Sequence, residues 1–109
     1  MTLDEIKIQE SLGTLDSVVD SSFYEELVET DNIEILKFVA LNVKSSSLRR
    51  CIAVNKNTPY SILRRLYKFD PDYYVRETAW DQIVERYERR FGPASLAIRR
   101  KIFVHMKID

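Results

Sequence analysis

Cysteine is nearly absent from the chain: Cys51 stands alone in 109 residues. One thiol cannot form an internal disulfide or frame a cysteine-held zinc or iron-sulfur site, and a reducing compartment suits it. Glycine is scarce too, with two residues, and proline numbers three. So few glycines argue against a phosphate-cradling loop and against many tight hairpins. No apolar run approaches the roughly 18 residues a membrane span needs, and Asp4 and Glu5 sit where a secretory leader carries basic residues. The expectation is a cytoplasmic protein, neither exported by that route nor membrane-spanning. His105 is the single histidine, with no second histidine at ligand spacing, so no metal and no cofactor is expected.

What the chain has in quantity is helix-forming and charged material. Apolar residues make up 45% and charged residues 31%, the balance of a folded helical protein, and the length suits one domain over residues 1–109. The formal net charge is zero, yet it is segregated. Residues 1–44 hold three lysines against ten acids (3 − 10 = −7), and residues 45–109 hold fourteen basic residues against seven acids (14 − 7 = +7). Such halves point to a charged partner or to self-association, head to tail between the acidic Glu25, Glu26, Glu29, Asp31, Glu34 region and a basic half.

Along the chain the apolar residues recur at helical spacing between polar caps. Thr2 and Glu5 read as a capping box ahead of Leu3, Ile6, Ile8 and Leu12, closed by Gly13. Leu15, Val18 and Val19 continue the pattern to Asp20, which with Ser21 and Ser22 can cap a helix bearing Phe23, Leu27 and Val28. Asp31 and Glu34 suggest the next box, with Ile33, Leu36, Val39 and Ala40 as its apolar positions. Ser45 to Ser47 then open Leu48 to Val54, predicted with Leu48, Cys51, Ile52 and Ala53 inward and Arg49 and Arg50 outward. Thr58 and Pro59 start a helix to about Lys68. Asp70 and Pro71 read as the same device, opening a longer helix through Val75, Ala79, Ile83 and Tyr87 to Gly92. Pro93 opens a last one with Leu96, Ile102, Phe103 and Met106. No window alternates with period two, so no strand is predicted.

Weak self-similarity runs through residues 31–91. Leu27, Asp31, Leu36, Lys37, Ala40 match Leu66, Asp70, Val75, Arg76, Ala79 at an offset of 66 − 27 = 39, and Lys37, Val39, Ala40, Asn42 match Arg50, Ile52, Ala53, Asn55 at 50 − 37 = 13. An apolar residue, a basic residue and a small alanine persist in both registers, as stacked helices require where backbones approach closely. The stretch from Leu48-Arg49 through Ile52-Ala53, Asn55 and Thr58-Pro59, then Ile62-Leu63 and Leu66, then Asp70, Asp72 and Val75-Arg76, resembles the leucine-rich repeat variant family, which looks like HEAT-type helical repeats. The likeness covers about one and a half repeats. It implies an all-α, right-handed α-α superhelix of short stacked repeats and a general interaction role, with no activity. Members linked to an iron-sulfur cluster carry a separate cysteine cluster, which Cys51 alone cannot supply.

The expected function is therefore a non-catalytic interaction module binding another protein. The alternative is nucleic acid, held through its phosphates by the pairs Arg49-Arg50, Arg64-Arg65, Arg89-Arg90 and Arg99-Arg100 together with Arg76, with Tyr60, Tyr67, Tyr73 and Tyr74 as stacking groups. Arginines also coat solvent faces while packing their stems, and the pI of about 6.6 favours that reading. Trp80 and Asp81 beside Arg76 resemble, by residue type alone, the cleft residues of HEAT-like DNA glycosylases, which are about twice this length; a core or groove position is the expectation for Trp80. Cys51, on an apolar helix side, is expected to act as a small hydrophobe.

Overall fold

The structure is a computed structural model and describes residues 1–92. Among these, every regular element is a helix: α1 Leu3–Leu12, α2 Leu15–Val18, α3 Ser21–Glu29, α4 Ile33–Asn42, α5 Ser46–Val54, α6 Tyr60–Phe69 and α7 Tyr73–Phe91. The helix expected from Pro93 onward, with Arg99, Arg100 and His105, lies outside the described residues. No helix among the described residues is long and apolar enough to cross a membrane.

Each start has a local cause. The Thr2 hydroxyl accepts from the Glu5 amide at 3.2 Å, Asp20 from Phe23, Asn32 from Glu34 and Ile35, Ser45 from Leu48 and Asp72 from Val75, so orphan amides are satisfied at five of the seven starts. Gly13 ends α1 in the left-handed conformation, φ 72°, which glycine enters without a Cβ penalty.

Three expected caps are displaced. Asn32, not Asp31, caps α4, its Oδ1 accepting from the Glu34 and Ile35 amides. That shift turns Ile33 outward, 45% exposed, and brings Ile35 into the core. Asp72, not Asp70, caps α7, because Asp70 ends α6 and its carboxylate is engaged elsewhere. Thr58 does not cap α6; it is buried and its hydroxyl donates to the Ile52 carbonyl at 2.7 Å, closing α5.

Counted from the caps, the buried residues fall at matched places. Phe23, Leu48 and Val75 stand three residues after Asp20, Ser45 and Asp72, and Leu27, Ile52 and Ala79 stand seven after them; all six are buried. In α4 and α6, Ile35, Leu36 and Val39 correspond to Ile62, Leu63 and Leu66 in the same way. The offsets 59 − 32 and 72 − 45 are both 27 residues. The 39-residue register instead pairs α4 with α7.

Helix α5 packs against α3, α4 and α7, and α6 packs against α7 and, more lightly, α4. Ala53 and Ala79 are fully buried, as close helix approach requires. The described chain extends 46 × 23 × 19 Å with a radius of gyration of 14.7 Å, against about 12–13 Å for a compact chain of this size. The core is correspondingly a long one, running from Ile6 to Ile83.

Candidate functional site

Arg49 belongs to the interior. It follows Leu48 by one helical step, and that rotation aims it at the seam where the end of α4 meets the end of α6. Its Nε donates to Asp70 Oδ2 at 2.8 Å and its Nη2 to Oδ1 at 3.2 Å, a paired fork. Nη1 donates to the carbonyls of Val43 at 2.9 Å and Lys44 at 2.6 Å. These carbonyls just beyond α4 have lost helical partners, which is why a buried cation is welcome there. The expectation that Arg49 points outward and serves a partner or phosphate is corrected: it is 8% exposed and bound to the protein on all three nitrogens. Arg76, at the matching place in α7, also reaches back six residues, with Nη1 donating to the Asp70 carbonyl at 2.8 Å.

Side-chain amides repeat the device at the other helix ends. Asn55 is fully buried, and its Nδ2 donates to Leu27 O at 2.8 Å and Thr30 O at 2.9 Å, closing α3. Gln82, 82 − 55 = 27 residues on, donates to Val54 O at 2.8 Å and closes α5. Arg86, absent from the sequence expectation, donates to Asn55 O and Lys56 O; burial pushes its pKa below the usual guanidinium value.

The remaining arginines divide among different surroundings. Arg50 is exposed, donating to Thr78 Oγ1 at 3.3 Å and lying 6.0 Å from the Tyr74 ring centre. Arg89 pairs with Glu85 within α7, and Arg90 lies over Phe91. On the outer side of α6, Arg65 is exposed and Arg64 half-buried, around a 260 Å³ hollow shared with Ser61, Lys68 and Phe69.

That outer side of α6 is where the surface changes character. Between the ends of α4 and α6 lies a groove of about 490 Å³ whose walls include Leu41, Lys44, Arg65, Phe69 and Pro71. Phe69 is 75% exposed and Leu41 39%, large apolar groups flanked by the cations of Lys44 and Arg65. The one acid in the wall, Asp70, is consumed by Arg49. Neither Leu41, Lys44 nor Phe69 was read as a site residue. The available signal was Phe69 sitting four residues after Arg65, on the polar side of an amphipathic helix.

On the opposite seam, between α6 and α7, Tyr67, Lys68, Tyr73, Arg76, Glu77 and Trp80 line a second hollow of about 470 Å³. Trp80 stacks with Tyr67, ring centres 5.1 Å apart, so it is a half-buried groove residue. Asp81 is exposed and not among the lining residues. Tyr60 and Tyr74 are exposed and do not join them either.

Cys51 is half-buried; burial pushes its thiol pKa up, against smaller opposing effects of a backbone hydrogen bond and Arg50. Among the described residues no three His, Cys, Asp or Glu side chains gather as a metal site would require. The chain matches no family model, and no curated protein or solved structure proves similar to it.

Proposed function

We propose that the chain is a non-catalytic interaction module that binds another protein in the groove between α4 and α6, built as a right-handed superhelix of short repeats in the leucine-rich repeat variant and HEAT-like manner. The repeat reading is supported by the 27-residue spacing of caps and core and by the matched pairs Arg49 with Arg76 and Asn55 with Gln82. Stacked units of this kind make one continuous core and leave a long face for partners. A cytoplasmic setting accords with the lone thiol.

The observation that carries the binding reading is Phe69, three-quarters exposed at the edge of a groove rimmed by Lys44 and Arg65. An exposed aromatic inside a cationic rim fits an acidic segment that carries an apolar anchor: the anchor buries against Phe69 and Leu41, and the carboxylates meet the cations. The test is fluorescence polarisation with a labelled peptide of glutamates around one phenylalanine. Saturable binding that Phe69→Ala weakens about tenfold or more, and that Arg65→Glu also weakens, is the expected result. Binding indifferent to both variants refutes the assignment.

A second reading, nucleic-acid phosphates, is favoured by one observation: Arg64, Arg65 and Lys68 surround a hollow that no acidic side chain lines. Phosphate contacts release counterions, so the logarithm of affinity would fall with log salt by about 0.7 per contact on single strands. Phe69→Ala separates the two, since it removes the peptide's anchor and leaves the cations in place.

A further inference from the structure

We propose that the hollow on the α6–α7 seam binds an unpaired nucleobase together with its phosphate, the base lying on Trp80 and Tyr67 and the phosphate meeting Lys68. The site is separate from the α4–α6 groove and independent of the protein-binding reading. Three features of the lining set the ligand chemistry. Tyr67 and Trp80 stand as an offset, tilted aromatic pair, 31° between their rings and 5.1 Å between centres, and give the hollow an aromatic surface. Both pack against the core, which fixes that surface before any ligand arrives. Two cations, Lys68 and Arg76, share the lining with one carboxylate, Glu77, whose charge raises the pKa of the Tyr73 phenol. Arg76 is anchored by its bond to Asp70 O and lies 5.9 Å from the Tyr73 ring centre, so it contributes positive potential without moving.

An aromatic surface with surplus positive charge favours a flat ligand that carries negative charge. A volume near 470 Å³ lies within the range of small-ligand pockets and admits a base and its sugar-phosphate. Stacking tolerates any base because every base has a π face, so the site is expected to discriminate weakly by sequence. Adenosine monophosphate and an unpaired strand both offer this chemistry.

Trp80 is the only tryptophan, so its fluorescence reports the hollow directly. The intact chain is titrated in low salt with adenosine monophosphate, with single-stranded oligoadenylate and with polyglutamate. Quenching by the mononucleotide identifies the free nucleotide as the source, and quenching by the oligonucleotide alone identifies a strand; either sustains the assignment. Lys68→Glu is expected to weaken binding about tenfold and to lower the salt slope for the oligonucleotide by about one contact's worth. Tyr67→Leu, which keeps apolar packing and removes a π face, is expected to weaken it at least about fivefold with helicity preserved by circular dichroism. Lys37→Glu, exposed on α4 and off the lining, is expected to leave it unchanged. The assignment is overturned by absence of quenching with both nucleotide probes, by equal quenching with polyglutamate, or by quenching that Lys68→Glu and Tyr67→Leu leave intact.

Discussion

Leucine in place of Ala79 would put an isobutyl group where α7 meets its neighbours with no solvent gap, the alanine being fully buried. Ala79→Leu is therefore expected to destabilise by about 1–3 kcal/mol in urea unfolding; an unchanged midpoint would place the inner face of α7 elsewhere. Cys51 gives a pH prediction at the same scale. Its folded pKa is raised above the ordinary value of 9.0 by burial. The unfolded chain then gives up the proton first: stability is unaffected well below that pH and declines as pH rises past it. Cys51→Ala should lack this part of the alkaline loss, seen by comparing urea unfolding of the two proteins at pH 8 and pH 10. Among single residues, the caps Thr2, Asp20 and Ser45 and most of the apolar core were legible in the sequence. Ala53 and Ala79 could be placed inward by period alone, whereas Arg49 and Arg50 look identical on paper. They part company because Asp70, which comes into reach only when α6 folds back, captures the first and not the second.

At the scale of elements, the side-chain amides close helices that have no glycine to close them. Asn55→Ala would strip the Leu27 and Thr30 carbonyls of their donor in a buried place and is expected to cost about 1–3 kcal/mol. Asp72→Ala, which removes the Val75 amide's acceptor, is expected to cost about 1 kcal/mol. Equal thermal melts for wild type and both variants would contradict the assignment of these bonds. The existence of α3 to α7 was legible from apolar period and polar punctuation, as were the caps Asp20 and Ser45, while the starts of α4, α6 and α7 differ from the expected ones by one or two residues. The reason is chemical: Asp31 and Asn32, or Asp70 and Asp72, are equally good acceptors beside a helix start. Which one caps depends on which is drawn away, Asp70 by Arg49 and by the Asp72 amide.

At the scale of the molecule, the helices form an elongated body whose seams are tied at corresponding places by Arg49 and Arg76 and by Asn55 and Gln82. This division of labour leaves Arg65 and Phe69 to the surface and withdraws Arg49 from it. The groove itself was not legible in the sequence, because its walls come from residues 41–44 and 65–71, brought together by packing and not by any local pattern. The opposed charges of the two halves were legible, but charge counts cannot say that Asp70 is spent internally.

The central claim is that Arg49 is a strut of the fold while Arg65 stands on the surface. Urea unfolding of Arg49→Ala beside Arg65→Ala tests it most directly. Losing Arg49 strands the Asp70 carboxylate, so the first variant is expected to lose about 3–5 kcal/mol and the second to change by no more than about 0.5 kcal/mol. Equal effects in the two variants, or a larger loss at Arg65, would contradict the account.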